Sequence, residues 1–115
     1  MPDTPADIRR QHVVLLSFPE PLSTAEEVQL QSMVAAWPER IGTMTECRLG
    51  RDLTGERSRG YSHLLHTVFP DAATLAAYIE HPAHVEVVEF LDARRCTRLA
   101  FDFVLDAATD FSSPA

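Results

Sequence analysis

No stretch of the 115-residue chain approaches the roughly 20 consecutive apolar residues that a membrane-spanning helix needs. Residues Met1 to Gln11 are rich in Pro, Asp and Arg and do not read as a secretory leader. Cysteine is scarce, and Cys47 and Cys96 form neither a metal-ligand spacing nor a disulfide framework. Basic residues are outnumbered ten to seventeen by acidic ones, for a formal net charge of −7. That balance disfavours a nucleic-acid surface, which draws its affinity from Lys and Arg neutralising phosphates. No Gly-rich phosphate loop follows a strand pattern, no His-x-His or His-x₃-His pair supports a metal site, and no internal repeat is visible. The expectation is a cytoplasmic, acidic single domain that needs no metal or organic cofactor and engages neither nucleic acid nor membrane. Its length suffices to bury about two-thirds of the unfolded surface, so a core can form without disulfide or metal staples.

Two helical patterns stand out. Ser23 with Glu26 and Thr24 with Glu27 form overlapping capping boxes. Leu30, Met33, Val34 and Trp37 then follow at helical spacing, and Pro38 is expected to stop the stripe. The second pattern starts at Asp71, a good N-cap, and runs through Leu75, Tyr78 and Ile79. Pro82 interrupts it, and proline suits the first turn of a new helix, on which His84, Val87, Val88 and Leu91 share a face.

Four segments read as strands: His12 to Phe18, Met44 to Gly50, Tyr61 to Phe69 and Thr97 to Leu105. The polar, Gly-bearing stretch Arg51 to Gly60 between the second and third reads as a hairpin loop. The order β-α-β-β-α(α)-β is the α+β, ferredoxin-like arrangement with a four-stranded sheet. The first and third strands are expected side by side and parallel at its centre. Helices then cover one face, leaving Val13, Leu15, Leu64, Val68 and Val104 on the other. Such a face is too apolar for water, and a second copy packed sheet against sheet is the simplest cover, hence a homodimer.

Chemistry is expected between helices and sheet. His12 shares its strand face with Val14 and Leu16, and His63 shares its own with Leu65 and Phe69. If both faces point to the helices, the two imidazoles are neighbours near one end of the sheet. Tyr78 and His84 come down from the helices toward the same cavity, with Val14, Leu16, Leu65 and Val88 as wall. An imidazole can take a carbon-bound proton at neutral pH, and a phenol can donate to the oxygen that then gains charge. His84 is the candidate base and Tyr78 the candidate donor, with His12 and His63 lining the substrate. On the residues alone, a core tyrosine and a structural histidine are the commoner reading of Tyr78 and His84. His81 reads as a helix-junction residue bonding the backbone, and Trp37 as core.

The stretch Tyr78-Ile79-Glu80-His81-Pro82-Ala83-His84-Val85 resembles the signature of the stress-responsive dimeric α/β-barrel (Dabb) family. His12 before an apolar strand, Gly60-Tyr61-Ser62-His63 and Phe101-Asp102-Phe103 match it too. The resemblance implies a Dabb domain over residues 12–106, with an N-terminal extension (1–11) and a flexible tail (107–115). Within that family the chain looks most like a plant polyketide cyclase that closes a linear tetraketide-CoA by aldol condensation without a cofactor. Carried over residue by residue, its catalytic pair corresponds to Tyr78 and His84, and its pocket histidines to His12 and His63. A pocket tyrosine of that enzyme aligns near Val34 here, a departure that bears on substrate shape. The resemblance implies a cofactor-independent acid–base enzyme for a carbonyl-rich small molecule, by aldol cyclisation or isomerisation. Its alternative is a non-catalytic, stress-responsive barrel that binds a small ligand. Haem degradation or monooxygenation occurs on related barrels, but no haem-ligand signature is present. Arg51, Arg57 and Arg59 could meet a CoA phosphate or a carboxylate, and a solvated hairpin explains them as well.

Overall fold

A computed structural model describes residues 8–112. The elements in chain order are β1 (Arg10–Ser17), α1 (Thr24–Ala35), α2 (Trp37–Ile41), β2 (Glu46–Arg51), β3 (His63–Phe69), α3 (Ala72–Glu80), α4 (Pro82–Ala93) and β4 (Thr97–Val104). A 3₁₀ turn, Ala107–Thr109, follows within the segment expected to be a loose tail. The first seven residues of the expected N-terminal extension, and residues 113–115 of the tail, lie outside the described residues. Among the described residues no helix is long and apolar enough to cross a membrane.

Local chemistry accounts for the helix boundaries. Ser23 caps α1, accepting from the Glu26 N–H while the Glu26 carboxylate accepts from the Ser23 N–H at 2.9 Å. The overlapping Thr24/Glu27 box is not used, because Glu27 turns onto the sheet. Pro38 does not end the helical run outright. It sits in the first turn of the short α2, where a missing N–H costs nothing. Gly42 closes α2 in the left-handed region, φ 77°, its N–H bonding Pro38 O. Asp71 caps α3, reciprocally with Thr74. His81 ends α3 and caps α4, its Nδ1 accepting from the Ala83 N–H at 3.0 Å, with Pro82 in the first turn.

The sheet has the order β2-β3-β1-β4, and every neighbouring pair is antiparallel. The expectation that β1 and β3 run parallel is therefore corrected. Helix α1 carries the chain back so that β2 runs in the direction of β1, and the hairpin reverses it before β3. Residues directly opposite in such a ladder point to one face. Three rows face the helices: His63, Leu16 and Arg98; Leu65, Val14 and Ala100; Thr67, His12 and Asp102. Three rows face away: Leu64, Leu15 and Leu99; His66, Val13 and Phe101; Val68, Gln11 and Phe103. Val104, opposite Arg10, is thus on the helix side, and Leu99, Phe101 and Phe103 take the outer face instead. Alternation along β4 defined two sides but could not say which one met the helices.

The core between helices and sheet holds Leu16, Leu30, Val34, Trp37, Leu65, Phe69, Tyr78, Ala83, Val87, Phe90 and Leu91. Each large apolar side chain contributes roughly 1.5–3 kcal/mol by leaving water. Trp37 is fully buried, and its Nε1–H donates to Ala83 O at 3.0 Å, tying α2 to the start of α4. Trp37→Phe should cost about 1–3 kcal/mol in urea unfolding, since it leaves that carbonyl without its donor and a void beside it. An unchanged urea midpoint would mean that the ring alone, and not the tie, matters.

Candidate functional site

The α3–α4 junction and the far row of the sheet converge on Tyr78. Its ring lies 4.5 Å, centroid to centroid, from His84 and 5.9 Å from His12, which it meets edge-on. Phe69 at 4.7 Å and Trp37 at 5.3 Å complete an aromatic box. Three of the four polar residues expected to share a site, Tyr78, His84 and His12, are therefore brought together.

His63 does not join them. Because β3 is antiparallel to β1, His63 stands opposite Leu16 while His12 stands opposite Thr67. Four residues of strand separate the two rows, about 13 Å at the usual rise. The expectation that the two imidazoles are neighbours at one end of the sheet is corrected accordingly. His63 is also fully engaged. Its Nε2–H donates to the Glu27 carboxylate at 2.9 and 3.0 Å, and its Nδ1 lies 2.6 Å from Ser62 Oγ. Of the expected wall, Leu16 and Leu65 belong to the packed core, Val14 packs against it, and Val88 is half-buried. His66 points to the outer face, bonded to Gln11 Oε1 at 2.8 Å.

The protonation states follow from the surroundings. Ile79 O lies 2.9 Å from His84 Nδ1 and can only accept, so Nδ1 carries the proton and Nε2 keeps its lone pair. Burial holds His84 below the usual histidine range, outweighing the opposing bond to Ile79. His84 is therefore a neutral base at pH 7. Burial pushes the Tyr78 phenol well above its ordinary value, so it is a donor and never a phenolate. The Tyr78 hydroxyl is buried without a hydrogen-bond partner, as is Thr67 Oγ1. Thr67 lies beside the phenol but falls short of a bonded geometry. A buried, unsatisfied hydroxyl costs about 1–3 kcal/mol and calls for an explanation. Among the described residues, no three His, Cys, Asp or Glu side chains are grouped to hold a metal ion.

The depressed His84 has a consequence for stability. An unfolded histidine titrates near 6.5, so as pH falls past that value the unfolded chain takes up the proton first. The contribution is complete above about pH 6.5 and is lost toward the lower folded value. Urea midpoints of wild type and His84→Gln should therefore diverge between pH 7.5 and 5, the wild type falling more steeply. Parallel curves would remove His84 as the source.

Residues 11–105 match the profile of the stress responsive A/B barrel domain. The chain belongs to that family. Among its relatives in the family, olivetolic acid cyclase of Cannabis sativa is 28% identical over 76 residues, which is 65% of this chain and 75% of the cyclase. A stress-response A/B barrel domain-containing protein of Arabidopsis thaliana is 34% identical over 77 residues, 66% of this chain and 71% of that protein. A dimeric ferredoxin-like protein from Thermobifida fusca has the same fold, with a TM-score of 0.74 at 19% identity over 89% of this chain and 95% of that one.

In this A/B barrel domain two carboxylates that hold the candidate histidines escaped the sequence reading. Asp102 on β4 bonds His12 Nδ1 across the sheet, leaving Nε2 as the open ring nitrogen among the described residues. Glu27 holds His63 from α1. Asp102 stood within a recognised stretch, yet nothing local paired it with a histidine 90 positions away. Glu27 read as half of a capping box.

Proposed function

We propose that the chain is a cofactor-independent acid–base enzyme for a carbonyl-rich small molecule, of the polyketide-cyclase kind, working as a cytoplasmic homodimer. The observation that carries this reading is the orphaned Tyr78 hydroxyl beside an imidazole whose Nε2 is kept unprotonated. His84 Nε2 takes a proton from the carbon next to a carbonyl. Tyr78 donates to the oxygen as it gains charge, which restores the partner the free protein lacks. The proton taken by His84 Nε2 returns from it to the product, so the cycle closes on one imidazole, while His12, held by Asp102, borders the other edge of the Tyr78 ring. The kinship with olivetolic acid cyclase supports aldol cyclisation or isomerisation as the reaction. The exposed outer face supports the dimer, and the two free thiols suit a reducing compartment.

A binding-only reading draws on the close aromatic packing around Tyr78, which a core tyrosine would also have. Deuterium uptake from D₂O into a panel of methyl ketones and β-keto esters, followed by NMR, separates the two. Acceleration over buffer that disappears in His84→Ala supports the enzyme. Ketones that bind yet exchange no faster than in buffer would leave a ligand-binding barrel.

A further inference from the structure

We propose that Thr67 is a second donor in the Tyr78 site, its hydroxyl and the phenol together holding the carbonyl oxygen of the substrate. The proposal rests on the acid–base reading above and adds a residue to it. Five polar side chains lie in the interior among the described residues: Gln11, His12, Glu27, His63 and Thr67. Gln11 is bonded to His66, His12 to Asp102, and Glu27 to His63. Thr67, with no exposed surface, keeps an unpartnered Oγ1. The other buried side-chain atom without a partner among the described residues is the Tyr78 hydroxyl, and the two lie beside each other. Buried hydroxyls are rarely left unpaired, and two such orphans side by side point to one shared acceptor.

The choice of threonine supports this. Valine has the same shape and suits a central strand as well, so the hydroxyl is all that threonine adds, at a cost in desolvation. Each hydroxyl brings one proton, and a carbonyl oxygen has two lone pairs to accept them. As His84 Nε2 takes the proton from the neighbouring carbon, the C–H electron pair becomes the new C–C π bond. The carbonyl π pair moves onto oxygen, where charge then develops between the two donors. Neither hydroxyl gives up its proton. Donors aimed at such an oxygen are worth most where water is excluded.

Its place in the sheet also gives Thr67 a neighbour that borders open space. Thr67 stands in the helix-facing row between His12 on β1 and Cys47 on β2. Cys47 also lines a cavity of about 310 Å³ between α1 and β2, together with Val34 and Leu49. Leu49 stands opposite Leu65, so the cavity lies on the helix side of the sheet. A second copy packed on the outer face leaves that side untouched.

Ketone proton exchange by wild type, Thr67→Val and Thr67→Ser tests the assignment, with melting temperatures taken on the same samples. Thr67→Val should lower kcat about 10²-fold with KM little changed, since the charge develops only in the transition state. Its melting temperature should hold or rise, because an unpaired hydroxyl has gone. Thr67→Ser, which keeps the hydroxyl, should retain most of the rate. The proposal is overturned if Thr67→Val exchanges as fast as wild type, or if Thr67→Ser falls as far as Thr67→Val. A Thr67→Val variant that melts lower with its rate intact would mean that the two hydroxyls serve only each other. If the wild type exchanges no ketone, the acid–base reading fails, and binding of 4-nitrophenolate decides the second donor separately. Its oxyanion should then bind wild type about tenfold more tightly than Thr67→Val. Equal affinity, or no binding to either, overturns the role of Thr67.

Discussion

Replacing His84 with alanine should lower ketone proton exchange by about two to four orders of magnitude, the usual contribution of a positioned base. The fold should survive, since His84 is only half-buried and the side-chain hydrogen bond it loses is to the backbone of the preceding helix. Tyr78→Phe gives the sharper diagnosis. It removes a hydroxyl that has no partner among the described residues, so stability should hold or rise. The rate should still fall about 10²-fold, as for loss of a single donor to a developing oxyanion. A core tyrosine predicts the reverse, a rate unmoved by the change. Rate and melting temperature measured on the same preparation distinguish the two, and a Tyr78→Phe variant with undiminished exchange would falsify the donor role.

Phe101→Asp should convert the dimer to a folded monomer. The ring is 66% exposed in the single protomer, with Phe103 6.1 Å away and Leu99 on the same face. A two-fold contact loses each ring twice, because each copy brings its own. At roughly 1.5–3 kcal/mol per phenylalanine, the dissociation constant should rise by about two to four orders of magnitude. Circular dichroism checks that the protomer stays folded, since the substitution lies on its surface. Sedimentation showing an intact dimer would direct the search to another face. Leu15 is a poorer probe, as it is already half-buried within one protomer.

What could be read in advance was whatever depends on near neighbours in the chain. The Asp71 cap, the break at His81 and Pro82, and the convergence of Tyr78 with His84 are set within a dozen residues. Strand identity was legible for the same reason, because alternation is local. Which face β4 turns inward, and which way β3 runs beside β1, depend on partners brought together only by folding. That is why His63 was placed with His12, and why Val104 was assigned to the outer face. The Asp102–His12 and Glu27–His63 contacts belong to the same class, each joining side chains of distant elements that nothing local pairs.

The break between α3 and α4 carries a geometric consequence. On one continuous helix, residues six apart are rotated about 600°, which leaves their side chains some 120° from each other around the axis. Tyr78 and His84 would then point to different neighbours and no cleft could contain both. By ending one helix and restarting the other along a new axis, the His81-Pro82 corner brings the two rings within 4.5 Å. Proline here acts as a compass setting, aiming the side chains on either side of the corner. Altering that corner by a residue would re-aim the pair.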